Sequence, residues 1–308
     1  MRIVIALGGN ALLKRGEPMD AEVQRANARR AAQAIVALAT EHELVLTHGN
    51  GPQIGLLALQ AATYIGTTPY PLDILGAETE GMIGYLLEQE LINAAPTMRV
   101  AALRTQTIVR SDDLAFQNPT KFVGPQYTEG VAQRVAQERQ WTMARDGAAW
   151  RRVVPSPSPL EILELPAIKT LLENQYFVIC AGGGGVPVTR NSRGTLTGIE
   201  AVIDKDRVAG LLAQQLQADC LLMLTDVAGT YVDWGTPQQR MIRRASPSQL
   251  ADLQFAAGSM GPKIESAIEF AQTSGRRACI GALDNASDII ARRKGTSIEP
   301  GVPDIEYT

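Results

Sequence analysis

Residues 2–7 (RIVIAL) form, after Arg2, an unbroken apolar run rich in β-branched side chains, as expected of a strand buried on both faces. Apolar positions then recur with helical spacing across 20–40, at Val23, Ala34, Ile35 and Leu38 among others, and a short apolar run at 44–46 predicts a second buried strand. The same reading predicts helices over 53–65 and 78–93 and a strand over 100–103. It continues with strand 176–180, helix 206–217, strand 221–224, helix 263–273 and strand 279–282. Strands and helices in alternation, with glycine turns at the strand ends, predict a mainly parallel sheet covered by helices on both faces.

Between about 105 and 165 the rhythm stops. This interval holds Pro119, Pro125, Pro155, Pro157 and Pro159, the tryptophans Trp141 and Trp150, and the basic pair Arg151-Arg152. Long stretches without regular structure are uncommon in compact domains. The interval therefore reads as a small inserted subdomain, its proline-framed pieces suited to a hinged lid; a surface excursion used for dimer contacts is the alternative.

Glycine loops sit where periodic segments begin or end. They are Leu7-Gly8-Gly9-Asn10, Thr47-His48-Gly49-Asn50-Gly51-Pro52, Ala181-Gly182-Gly183-Gly184-Gly185 and Gly258-Ser259-Met260-Gly261-Pro262-Lys263. Backbone N–H groups in such loops can approach an anion closely, and a following helix adds the positive end of its dipole. Four such loops in one chain predict a site for several negative charges.

Composition narrows the class. With 308 residues and 45% hydrophobic content the chain can bury a large core. Its 29 basic and 32 acidic residues argue against a nucleic-acid-binding surface. Cys180, Cys220 and Cys279 lie in apolar runs without metal-site spacing and read as buried, reduced thiols, and His42 and His48 are the only histidines, so no protein-held metal is expected. No apolar stretch is long enough to span a membrane, and the expected location is cytoplasmic.

Nine blocks in order along the chain carry a resemblance. They are IVIALGGNALL, LTHGNGPQIGLL, PLDILGAETEGMIGYLL, NPTKFVGP, WRRVVPSPSP, CAGGGGVPV, AVIDKDRVAGLLA, LTDVAGTYVDWGTP and GSMGPKIESAIEF. In this sequence and order they resemble carbamate kinases of the amino-acid-kinase family, nearly end to end. The resemblance implies a three-layer αβα sandwich around a mainly parallel sheet of about eight strands, with a protruding lid subdomain. It assigns 1–175, including the lid at about 105–165, to the half that receives carbamate or carbamoyl phosphate, and 176–308 to the half that receives the nucleotide.

Site residues follow from the matched motifs. Gly8, Gly9 and Asn10, and Gly49, Asn50 and Gly51, would face the carbamate and the transferring phosphoryl group. Lys205 and Lys263 would neutralise phosphate oxygens, Asp206 would orient the lysines, and Lys121 would close over the acceptor from the lid. A lysine at the first turn of a helix opposes the helix dipole, so a merely stabilising role for Lys205 is not expected, while Asp204 or Asp206 could cap that helix. The nucleotide would lie against Thr225, Asp226, Tyr231 and Met260, with Gly182 and Gly183 beneath it. By the resemblance ATP and ADP would enter as substrates, Mg²⁺ would be held mainly through their phosphates, and the assembly would be a homodimer.

Two positions bear on the resemblance, one departing from it and one supporting it. Phe122 stands where many carbamate kinases have proline. Ala6 stands where acetylglutamate kinases carry a lysine; carbamate kinases also lack it and take the charge from the lysine matching Lys205, so the resemblance favours carbamate over an acylamino acid as acceptor. Related kinases of another small carboxylate or phosphonate, and a noncatalytic nucleotide-binding regulator, are the alternatives. A dinucleotide-binding Rossmann enzyme is disfavoured because no G-x-G-x-x-G turn follows the first strand. Arginine, purine and other nitrogen metabolism are the candidate sources of carbamoyl phosphate.

Overall fold

The computed structural model describes residues 1–14, 16–63, 68–255 and 260–308. The predicted helix end at 65, and Gly258 and Ser259 of the fourth glycine loop, lie outside the described residues.

The expected strand at 2–7 is the centre of a ten-stranded sheet, two strands larger than the resemblance implied. Arg2–Leu7 pairs in parallel with Cys220–Thr225 on one side and with Glu43–His48 on the other. Beyond Glu43–His48 come Phe177–Ile179 and Val100–Ala102, both parallel. Beyond Cys220–Thr225 comes Arg277–Ala282, also parallel. The remaining strands, Thr296–Ile298, Arg240–Ala245, Thr230–Val232 and Glu306–Tyr307, pair antiparallel at that edge except for Arg240–Ala245 with Thr296–Ile298, which is parallel. These edge strands are mostly two or three residues long, too short for a periodic signal.

Side-chain alternation explains the layering. Ile3, Ile5 and Leu7 join one buried cluster with Leu44, Leu46, Cys220, Leu222 and Leu224, while Val4, Ala6, Val45, Leu221 and Met223 join another on the opposite face. Helices Ala21–Val36 and Leu72–Ala94 cover the first face; Lys205–Gln215 and Met260–Ser274 cover the second. This is the three-layer αβα sandwich.

The irregular interval is divided between two structures. Lys121–Tyr127, Ala149–Val154 and Met143–Asp146 form a separate antiparallel sheet, joined by helix Glu129–Arg139. Its flanks are different: Gln106–Ile108 and Glu161–Ile162 pair within a four-stranded sheet with Val186–Arg190 and Leu196–Gly198, across the expected boundary at 175. A small apolar cluster including Ile54, Leu72, Val123, Val154 and Val202 seats the three-stranded unit on the body. Gly55 and Gly124 meet so closely there that a Cβ on Gly55 would overlap the Gly124 backbone.

Helix Leu72–Ala94 starts earlier than its periodicity predicts. Glu200 Oε2 accepts from Leu72 N at 2.7 Å, so a residue far along the chain satisfies a donor at the helix start, which local sequence cannot reveal. Among the described residues no helix is long and apolar enough to cross a membrane.

Candidate active site

Ligands in open α/β sheets gather at the carboxyl ends of parallel strands, and the strand order sets which loops meet there. Gly8 N donates to Leu224 O at 2.9 Å, and Gly49 N donates to Leu7 O at 3.1 Å. A Cβ on Gly49 would lie 3.1 Å from Gly9 N and 3.2 Å from the Lys205 side chain, so the first two glycine loops and Lys205 touch.

A cleft of about 550 Å³ opens over these loops. Gly8, Gly9, Lys121, Lys205, Asp206 and Lys263 line its inner part, and Thr225, Asp226, Tyr231 and Met260 line the rest. Residues separated by most of the chain thus share one wall. Sequence reasoning missed Asp233, Trp234, Gln254 and Phe255, which line the same cleft. Trp234 is 63% exposed and meets Tyr231 edge to face, with ring centroids 5.0 Å apart. Asp233 and Trp234 fall within the matched block LTDVAGTYVDWGTP, which was the available signal, whereas Gln254 and Phe255 lie in none of the nine blocks.

The charged groups form two linked sets. Lys263 Nζ and Lys205 Nζ donate to the same oxygen, Asp206 Oδ2, at 2.8 and 3.0 Å. Lys121, reaching from the three-stranded unit, pairs with Asp204. Asp204 is also the helix cap, its Oδ1 accepting from Asp206 N at 2.8 Å, so capping and charge pairing fall to one carboxylate and leave Asp206 to the lysines.

Burial opposes the charges of Asp204, Lys205, Asp206 and Lys263, and the neighbours decide the outcome. Asp204 is desolvated, yet Lys121 and Lys205 hold its carboxyl well below the usual range. Asp206 is likewise desolvated but lowered by Lys205 and Lys263. Lys205 is raised, Asp206 and Asp204 outweighing burial. Lys263 is lowered, because burial and repulsion from Lys205 exceed the pull of Asp206. At the inner end of the cleft three ammonium groups face two carboxylates, with Asp226 and Asp233 further along the lining, and the starts of helices Lys205–Gln215 and Met260–Ser274 add positive potential at that inner end. An anionic phosphate is the natural complement.

Other expected residues lie apart from the cleft. Gly51 begins helix Gly51–Ala61, and Asn50 is buried behind the loop, its Nδ2 donating to Thr79 Oγ1 at 2.9 Å. The Asn10 side chain is outside the described residues. Gly182 and Gly183 fall elsewhere than expected: strand Phe177–Ile179 flanks Glu43–His48 on the side away from Cys220–Thr225, and its glycine run does not line the cleft beside Thr225 and Asp226. A Cβ on Gly182 would strike His48 and approach Glu80, and one on Gly183 would strike the Asn50 amide.

Buried titratable groups line that second locus. His48 Nδ1 lies 3.2 Å from Gly49 O, and burial pushes the imidazole down to about 4, so the ring is neutral and Nδ1–H donates. Glu80 is pushed up to about 8 by burial, although its oxygens accept from Thr105 N at 3.1 Å and Gly182 N at 2.9 Å. The three thiols are buried and free.

Among the described residues no three His, Cys, Asp or Glu side chains cluster as a metal cage. Asp206 Oδ1, buried beside the cleft, has no hydrogen-bond partner among them. One spare carboxylate oxygen fits a Mg²⁺ ion that keeps most of its ligands as water and phosphate.

The amino acid kinase family model matches residues 1–282. Carbamate kinase of Haemophilus influenzae is 53% identical over 308 residues, covering 100% of this chain and 99% of that protein. Carbamate kinase of Rhizobium meliloti is 52% identical over 310 residues, covering 100% and 96%. Carbamate kinase from Giardia lamblia bound to AMP-PNP has a TM-score of 0.88 at 41% identity, covering 97% of this chain and 98% of that one. A Bacillus anthracis UMP kinase, at 16% identity and a TM-score of 0.55, shares the fold alone.

Proposed function

The chain belongs to the amino acid kinase family, and from that premise we propose the full reading of its cleft. It is a phosphotransferase, a carbamate kinase catalysing ATP + carbamate ⇌ ADP + carbamoyl phosphate, as its 53% and 52% identity to carbamate kinases along the whole chain supports. The observation that carries the site assignment is the convergence of Lys121, Lys205 and Lys263 with Asp204 and Asp206 beside Gly8 and Gly9.

The acceptor oxygen of carbamate already bears negative charge, so no general base is needed. The barrier is repulsion between two anions, and catalysis is positioning plus charge neutralisation. Lys205 and Lys263 neutralise the phosphate oxygens, Asp206 keeps both ammonium groups aimed into the cleft, and Lys121 closes the acceptor side. Residues 1–175 receive the acceptor and most of 176–308 receives the nucleotide. Mg²⁺ enters with the nucleotide, held by its phosphates and near Asp206 Oδ1, and adds charge neutralisation. Because an acyl phosphate is the stronger phosphoryl donor, the working direction is ATP formation, with arginine breakdown a fitting source of carbamoyl phosphate. Free buried thiols suit the cytoplasm.

The assembly is a homodimer formed through helix Leu72–Ala94. Ile74, Met82, Tyr85 and Ile92 lie along one stripe of that helix and are 39–51% exposed, more apolar area than a solvated helix face carries. Tyr85→Glu is expected to give a monomer by light scattering; an unchanged mass would remove this interface.

Purified protein with Mg²⁺, ADP and carbamoyl phosphate should form ATP in a hexokinase-coupled assay. A folded protein that binds ADP yet forms no ATP would overturn the reading.

A further inference from the structure

The block PLDILGAETEGMIGYLL occupies helix Leu72–Ala94, and two of its residues, Thr79 and Glu80, are buried polar groups turned toward the acceptor loops. Neither lines the cleft. Their partners show what they hold.

Thr79 Oγ1 donates to Gly76 O at 2.8 Å, which uses its only proton. It can therefore only accept from Asn50, and the amide must turn Nδ2 toward it, as found at 2.9 Å. The hydroxyl thus fixes which end of the Asn50 amide is committed to protein. Asn50 itself stands just before helix Gly51–Ala61 and does not use its side chain as a cap, so Thr79 is what holds that side chain.

Glu80 acts from the adjacent position. Its two oxygens accept separately from Thr105 N and Gly182 N, joining the helix to the loop after Val100–Ala102 and to the glycine run. Ala181, Gly183, Gly184 and Gly185 in that run all have positive φ, at 53, 64, 95 and 75°. A turn in this conformation is strained at Ala181 and is maintained by its surroundings. Gly183 packs on the Asn50 amide with no room for a Cβ. The amide is therefore held by Thr79 through a hydrogen bond and confined by a turn that Glu80 pins.

We propose that Thr79 and Glu80 are positioning residues for the acceptor site, Thr79 orienting the Asn50 amide and Glu80 holding the Gly182–Gly183 turn against it. The inference rests on the reading of Asn50 as a contact for carbamate and carbamoyl phosphate. Misorientation of Asn50 weakens that substrate and leaves the nucleotide, bound on the far side of Arg2–Leu7, unaffected.

The test is steady-state ATP formation by Thr79→Val, Thr79→Ser, Glu80→Gln and Asn50→Ala, with ADP affinity measured by calorimetry. Thr79→Val removes the hydroxyl at nearly constant shape and should raise KM for carbamoyl phosphate about tenfold, the scale of one lost hydrogen bond. ADP affinity should stay within about twofold, kcat should fall less than KM rises, and Thr79→Ser should restore the parent KM. Glu80→Gln offers one acceptor oxygen where two are needed and should shift KM in the same direction. Combining Thr79→Val with Asn50→Ala should add nothing to Asn50→Ala alone. If Asn50→Ala raises KM while Thr79→Val does not, the positioning role fails and the Asn50 assignment stands. If Asn50→Ala leaves KM at the parent value, the assignment fails and the inference falls with it. Equal loss of ADP and carbamoyl phosphate binding, not rescued by serine, would show a structural role only.

Discussion

Lys263 Nζ lies 2.8 Å from Asp206 Oδ2, joining the start of helix Met260–Ser274 to the start of helix Lys205–Gln215 across 57 positions of sequence. The same oxygen takes Lys205 Nζ at 3.0 Å, so one carboxylate anchors two ammonium groups that would otherwise repel. Lysine at a helix start is unfavourable against the dipole, and here it occurs at both helices. Such an arrangement costs stability in the absence of ligand and stabilises charge when phosphate arrives.

Lys205→Ala or Lys263→Ala should therefore lower turnover by about 10²-fold or more, as loss of one preorganised donor does, with circular dichroism unchanged. Asp206→Asn should behave differently. It leaves two buried ammonium groups with a weaker partner and should lower the melting temperature as well as turnover, since breaking a buried ion pair costs about 3–5 kcal/mol. Near-normal turnover in either folded lysine variant would reject the assignment; an unshifted melting temperature in Asp206→Asn would reject the anchoring role.

The three-stranded unit reaches the cleft through the Lys121 to Asp204 pair and rests on the close contact of Gly55 and Gly124. Lys121→Ala should depress turnover and leave ADP affinity within about twofold. Gly55→Ala tests the seating: its methyl falls on the Gly124 backbone, so the unit must lift, and misplacement of about 1 Å costs on the order of 10²-fold in rate. Calorimetry showing ADP binding weakened as much as turnover in both variants would disconnect this unit from the acceptor side.

The central strands were legible because burial on both faces leaves an unmistakable apolar run, as in RIVIAL and CLLML. Lys121, Lys205, Asp206 and Lys263 could be selected because the matched motifs surround each of them. What stayed illegible depends on distant partners. The edge strand Thr230–Val232 is three residues long, and the start of helix Leu72–Ala94 is held by Glu200. The choice of Asp204 over Asp206 as cap reflects the demand of two lysines on Asp206. The neighbours of Gly182 and Gly183 were not legible because a glycine run reports that something approaches closely, not what; in the fold His48 and Asn50 lie against it.

The contact between Gly183 and Asn50 sets what a larger residue there does. Gly183 has φ of +64° and lies against the Asn50 amide, so Gly183→Val is strained by backbone and by contact alike. It should raise KM for carbamoyl phosphate by about tenfold or more while ADP affinity changes within about twofold. Titration calorimetry with ADP and with a carbamoyl phosphate analogue separates the two. Weakened ADP binding with normal analogue binding would return the glycine run to the nucleotide.

Glu80 and His48 predict an unusual dependence of stability on pH, and their signs oppose. Glu80 rises from 4.5 to about 8 in the fold, so between those values the native protein holds a proton that the unfolded chain has released, and stability falls as pH rises. His48 drops from 6.5 to about 4, so between those values the unfolded chain binds the extra proton and stability rises with pH. The two offset one another between about 4.5 and 6.5, and above 6.5 only the Glu80 loss continues. From pH 6.5 to 8 that loss amounts to at most about 2 kcal/mol, taking 1.36 kcal/mol per pH unit. Glu80→Gln carries no titrating proton, so its melting temperature should stay level across pH 6.5–8 while that of the parent declines. Parallel curves for the two proteins over that window would show that Glu80 is ionised in the native state at neutral pH, and that its two backbone donors outweigh its burial.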